Sequence, residues 1–280
     1  MLEYKPNLVL SNEEFDSIGS TPIRHDGADK VTGRARYGAD NNMPGMLYGK
    51  ILRSPHAHAV IKSVDASAAE TLPGVHAVVT SADWPETSMK LTDLAEGSIH
   101  NLGFLSMNVL ARGKALYKGH PVAAVAAVSP HVAEEATKLI KVDYEVLKPV
   151  LSAEEGMAPD APILHERLAA VSSPALRPGG ILEDDAESMR TNIANKFEFN
   201  LGDVEQGFKD ADVIVEKETT TQAVHQGYIE PQAGVAHWQA DGKVTVWSSS
   251  QGQFTVRDQT ARFLGIPIGQ VKAMRMEIGG

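Results

Sequence analysis

Cysteine is absent from the 280 residues. Without a thiolate the chain can form no disulfide, no cysteine zinc site and no cysteine-ligated iron–sulfur cluster of its own. An excess of positive charge is also missing. Lys and Arg number 26 against 36 Asp and Glu, leaving a net charge of −10 at pH 7. Nucleic-acid binders carry a basic footprint, so nothing here points to that class of partner. No apolar run approaches the ~20 residues of a membrane helix. The opening stretch MLEYKPNLVLSNEEF has early acidic residues and no apolar core of signal-peptide length. The expectation is a cytoplasmic protein with no membrane partner. The motifs GxxxxGKS/T, GxGxxG and GxSxG are missing too, so phosphate-loop, dinucleotide and serine-hydrolase readings lack their signatures.

What is present is a mixture of strand-like and helix-like runs. Hydrophobic residues make up 42% of the chain, enough for real cores in one large or two modest domains. Residues 21–47 read as loops around a short strand. Strands are expected over 47–53, 59–64 and 76–80, with Asp65 starting a short helix over 66–72. The run PVAAVAAV after His120 suits a buried strand. Ser129-Pro130 then opens a helix whose Val132, Ala133, Ala136, Leu139 and Ile140 recur at helical spacing. A strand returns at 142–146. Residues 150–192 are rich in Pro and Gly and read as a connection.

Structure is expected to resume with a strand over 195–200 and a capped helix at Asp203 and Gln206. A strand over 212–221 follows. A hairpin turns at Asp241-Gly242. A helix over 254–264 stops at Gly265, and a final strand runs from 268 to 278.

Several side chains could carry chemistry. Gln251 sits where a strand gives way to a helix, and its amide can donate to an oxo or phosphate oxygen. The ordinary alternative is a helix cap or a solvent-facing amide. Gly279-Gly280 allow close backbone approach, or else mark a frayed terminus. His225, Tyr228 and Glu230 lie in HQGYIEPQ and could line a substrate pocket. The bland reading there is a satisfied structural pair. His56 and His58 alternate by two but lack a third metal ligand, which favours a structural turn.

Four stretches, taken together and in order, resemble the molybdenum-binding large subunit of the xanthine dehydrogenase/aldehyde oxidase family. They are LRSPHAHAVIKSVDASAAETLPGVHAVVTSADWP, the run from YKGHPVAAVAAV to APILHE, GDVEQGFKDADVIVEKETTTQAVHQGYIEPQ, and SSSQGQFTVRDQTARFLGIP with EIGG. The resemblance implies an α+β chain. Residues 1–20 form a polar leader, 21–155 an α/β hammerhead-type domain and 156–192 an interdomain connection. Residues 193–280 begin a molybdopterin-binding domain.

The resemblance further implies oxygen insertion from water into a C–H bond of an aldehyde or N-heterocycle. Its cofactor is molybdenum–molybdopterin. Iron–sulfur clusters and FAD sit on partner chains. By the same resemblance Gln251 hydrogen-bonds the apical ligand of molybdenum. Gly279 and Gly280 open the GGGFGGK loop against the cofactor, and Phe254 matches the aromatic of TQxPF. Gln253 stands where that pattern has proline. No residue in this chain matches the family's base glutamate, and none ligates the metal directly. The rest of the molybdopterin-binding surface is therefore expected on a missing segment or a partner chain, these residues being either a fragment or one subunit of a split large chain, and alone they should not turn over substrate. Two alternatives stay open: an assembly subunit without its own cofactor, and part of a carbon monoxide dehydrogenase large subunit.

Overall fold

The computed structural model describes residues 16–17, 20–83, 85–87, 91–93, 99–166, 192–193 and 201–280. Most of the leader, most of the 156–192 connection and the strand expected over 195–200 lie outside the described residues.

The stretch 21–47 holds no strand. It forms α1 (Gly27–Val31) and a 3-10 turn at Gly38–Asp40. Local polar bonds win here over a ladder. Thr32 Oγ1 donates to Ala28 O, and Arg34 Nε donates to Asp29 Oδ1 at 3.0 Å.

Strands β1 (Tyr48–Arg53), β2 (Ala59–Asp65) and β3 (Val75–Thr80) follow, with α2 (Ser67–Glu70) before β3. Asp65 Oδ1 accepts from Ser67 N at 3.0 Å and so starts α2. Strands β4 (Leu91–Asp93) and β5 (Ile99–Asn101) pair with each other and lead into α3 (Leu102–Val109). The half closes with β6 (Lys114–Ala115), β7 (Pro121–Ala127), α4 (Pro130–Leu139) and β8 (Lys141–Val146). Strand β7 lies between antiparallel β1 and β3, and β2 lies between antiparallel β6 and β8. Ser129 Oγ accepts from Val132 N, so the Ser-Pro pair does start α4. The core is built of small residues. Ala123, Val125 and Ala127 of β7 meet Ala133 and Ala136 of α4, all buried. Alanines on both faces let helix and sheet approach closely.

His120 sits in this half with no exposed surface. Its Nδ1 accepts from Leu116 N at 3.1 Å, and its Nε2 donates to Met107 O at 2.8 Å. Both ring nitrogens are used in the neutral form, and burial holds its pKa below the usual 6.5. The unfolded chain therefore takes up a proton here before the folded one does. Stability from this group is complete above about pH 6.5 and falls as pH drops below it. We expect His120→Ala to cost about 2–4 kcal/mol through lost packing and two orphaned backbone groups. Urea midpoints at pH 7.5 and 5.5 check this. The wild type should lose stability between them, and the variant should lose less.

Of the two histidines in the SPHAH turn, His58 Nδ1 lies 2.8 Å from Lys148 O and the His56 ring meets Tyr144 edge-on. They tie the turn to β8 and the residues after it.

Helix α5 (Ala153–Met157) follows at the end of the first half, and the second half includes α6 (Val204–Asp210), capped by Asp203 Oδ1 accepting from Gln206 N at 2.9 Å. Gln206 does not complete the reciprocal box; its amide donates to Asp210 instead. Residues 212–221, expected as a strand, form no ladder among the described residues. A strand needs a neighbour for its backbone groups. Among the described residues none lies alongside, and Val213, Ile214 and Val215 remain exposed.

The hairpin forms as read, with β9 (Gly234–Trp238) antiparallel to β10 (Val244–Ser248) and Gly242 at φ 81° in its turn. Helix α7 (Gln253–Leu264) ends on Gly265 in the left-handed conformation, φ 65°. Strand β11 (Val271–Arg275) then returns parallel to β10. The sheet order is β11-β10-β9. Helix α7 is thus the crossover of a parallel β-α-β unit, and α3 of the first half touches it.

Candidate functional site

In a parallel β-α-β unit the loops leaving the carboxyl ends of the strands open a crevice, because the crossover helix lies to one side. Gln251 follows the carboxyl end of β10. Gly279 and Gly280 follow that of β11. Both positions therefore fall on one edge of the sheet. Gln251, Ser250, Ile278 and Gly280 line a shared cleft of about 500 Å³ there, with Arg24 and Lys30 opposite.

Gln251 does not cap the helix. The N-cap of α7 is Gly252, with no side-chain cap bond. The turn is held instead by Ser250 Oγ accepting from Gly252 N at 3.2 Å, and by Gln253 Nε2 donating to Ser250 O at 2.9 Å. Gln253 therefore closes with its side chain a turn that proline would close with its ring. The amide of Gln251 stays exposed in the cleft. The uncapped first turn of α7 adds backbone N–H groups and the positive end of a helix dipole.

The charges lining the cleft, three cations and two carboxylates, are all in ion pairs. Lys30 Nζ lies 3.1 Å from Glu277 Oε2 and 3.1 Å from Asp26 Oδ2, and Arg24 is paired with Asp26. Asp26 is held well below the usual carboxylate range by its hydrogen bonds to Arg24 and Lys30.

On the other side of Gly280 lies a second cleft of about 500 Å³, lined by Tyr228, Glu230, Ser249 and Ile278. The structure thus brings Tyr228 and Glu230 to the glycines. His225 is held in its own turn, its Nδ1 accepting from Gly227 N at 3.0 Å, with its ring 4.9 Å from that of Tyr228. Phe254 lines neither cleft. It is exposed on the first turn of α7, with the Arg257 guanidinium 5.3 Å from its ring.

Glu230 has no free oxygen. Oε1 accepts from Ser249 Oγ at 2.7 Å and from Gly38 N at 3.3 Å, and Oε2 accepts from Gly279 N at 2.7 Å. The Ser249 hydroxyl, then the two amides, hold its pKa below the ordinary carboxylate value. The glycines allow this closeness. A Cβ on Gly279 would stand 2.7 Å from Glu230 Cβ, and one on Gly38 would stand 2.7 Å from Ala233 O.

Sequence reasoning passed over the 24–40 segment, which lies against the second half. Besides Gly38 and Lys30, Arg36 O accepts from Glu277 N at 3.0 Å. Ser249 was also missed. The one local hint was the run of three serines after β10. Among the described residues no group of three or more His, Asp or Glu could hold a metal ion, and no helix is long and apolar enough to cross a membrane.

Comparison with known proteins extends this picture. Residues 32–148 match the family described as aldehyde oxidase and xanthine dehydrogenase, a/b hammerhead domain, and residues 186–280 match the molybdopterin cofactor-binding domain. The chain is 34% identical over 260 residues to a probable xanthine dehydrogenase component of Bacillus subtilis (strain 168), covering 92% of this chain and 30% of that protein. It is 30% identical over 280 residues to the carbon monoxide dehydrogenase large chain of Afipia carboxidovorans, covering 99% of this chain and 32% of that one. The crystal structure of a Cu,Mo-CO dehydrogenase superimposes with a TM-score of 0.71 at 30% identity, covering 94% of this chain and 31% of that chain. The chain thus spans about a third of the length of these relatives.

Proposed function

This chain belongs to the aldehyde oxidase and xanthine dehydrogenase family, and on that premise we propose that it supplies one wall of a molybdenum–molybdopterin site in a hydroxylase. The observation that carries the reading is the placement of Gln251 and Gly280 on one cleft, at the carboxyl ends of two parallel strands. The donor set fits such a group: an uncommitted carboxamide, an uncapped helix start, and glycine backbone that a Cβ would displace. When bound, the group supplies a redox centre at which oxygen from water enters a C–H bond.

The roles of this chain's residues follow from their chemistry. The Gln251 amide donates a hydrogen bond to an oxygen on the cofactor. Gly279 and Gly280 present bare backbone to it. Phe254 is exposed on the first turn of α7, outside both clefts, and would meet at most the cofactor's edge. Tyr228 and His225 stand on the substrate side, where an aromatic ring orients an aldehyde or N-heterocycle. Glu230 belongs to the same wall. Iron–sulfur clusters and FAD on partner chains would carry the electrons away.

Metal and pterin analysis of the assembled complex tests the proposal. About one molybdenum and one pterin per copy of this chain are expected; a complete complex lacking both would sink it. Similarity to a carbon monoxide dehydrogenase favours a second reading of the substrate. Copper found beside molybdenum, with carbon monoxide oxidised, would select it.

A further inference from the structure

Glu230 gathers three distant pieces of the chain. Its acceptors reach Gly38, Ser249 and Gly279, which are 192, 19 and 49 residues away in sequence. Those pieces are the strap that precedes the first half, the carboxyl end of β10, and the backbone after β11. Three donors converging on one side chain suit a carboxylate, which only accepts. An isosteric glutamine offers one accepting oxygen, and its NH2 would face an N–H or O–H donor. The fit is steric as well. Gly279 can bring its amide to 2.7 Å from Oε2 because it has no Cβ. A carboxylate engaged on both oxygens is poorly placed to exchange protons with a substrate.

We propose that Glu230 is a positioning residue: its carboxylate locks the Gly279–Gly280 backbone to the end of β10, so that the glycines and Gln251 face the cleft in a fixed arrangement. This rests on the reading of that cleft as the cofactor wall. Gln251 itself leaves the chain two residues after Ser249, which Glu230 holds. The clamp therefore fixes both cofactor-facing loops from behind, without touching the cofactor.

The test uses the assembled complex carrying Glu230→Gln, read by amide hydrogen exchange and by the Mo(V) electron paramagnetic resonance spectrum. The Gly279 amide should exchange at least about tenfold faster. Ladder amides of β10 and β11, such as Val246 and Met274, should keep their rates. The Mo(V) signal should shift, because the loops beside the metal are no longer set. Ser249→Ala removes one donor of the three and should give a smaller change of the same kind; it carries the test if the glutamine variant does not assemble. Unchanged exchange at Gly279 would overturn the clamp. Faster exchange with full molybdenum content and an unaltered Mo(V) spectrum would leave the clamp standing. It would overturn the positioning role, and with it the placement of the glycines against the cofactor.

Discussion

Gln251→Ala, made in the assembled and metal-loaded complex, is expected to lower kcat by about 100-fold, the typical loss when one preorganised donor is removed from a reacting oxygen. The corresponding barrier change is about 3 kcal/mol. Stability should hardly move, because Gln251 neither caps α7 nor packs in a core; the turn relies on Ser250 and Gln253. A surface change of this kind stays within about 0.5 kcal/mol. Four measurements separate the readings: turnover under substrate saturation, molybdenum content, the Mo spectrum and thermal midpoint. Lower turnover with metal and midpoint preserved supports a direct contact. If turnover and the Mo spectrum are both unchanged, the chain is better described as an assembly subunit.

Gly38→Ala should destabilise the chain by about 2–3 kcal/mol, the upper range for forcing atoms into a packed site. The added Cβ would stand 2.7 Å from Ala233 O and 3.4 Å from Ser249 Oγ. Ala233 O belongs to backbone that leads into β9, so it cannot swing aside like the tip of a long side chain. Relief requires the strap to lift, which also stretches the Gly38 N–H bond to Glu230. Urea unfolding gives the magnitude, and limited proteolysis within 24–40 shows where the chain opens. Gly49→Ala is the control. It lies in β1 with nothing within 4 Å of the new atom, and should be neutral or mildly stabilising. Equal losses in both variants would remove the strap argument.

Elements whose partners are close in sequence were the legible ones. The Asp241-Gly242 hairpin, the Ser129 cap and the Gly265 stop each depend on residues a few positions away, and each forms as read. The buried strand at Pro121–Ala127 was legible for another reason. Its uniform apolar run needs two covered faces, whatever covers them. The strand expected at 212–221 shows the limit. Its β-branched Val213-Ile214-Val215 run favours extended backbone, and says nothing about whether a neighbour exists. The site was legible to a similar degree. The position of Gln251 between strand and helix was visible, and so were the glycines. Glu230 was visible as a residue, but its partners lie up to 192 positions away, and no local pattern records that distance. The 24–40 segment was read with the half that follows it. Its hydrogen bonds run to residues 230 and 277.

That strap has a consequence for how the chain is made. Gly38 leaves the ribosome long before Gly279, its neighbour across Glu230. At synthesis rates of about 5–20 residues per second the interval is on the order of 10–50 s. The first half can collapse on its own alanine-rich core during that time. The strap cannot, because its docking surface has not been synthesised. It must wait as loose chain beside a folded neighbour, and the carboxylate at position 230 is what finally receives it. Closure of the cleft therefore follows collapse of the first half, and slow translation between the two halves would prolong the interval in which the strap is open to proteases.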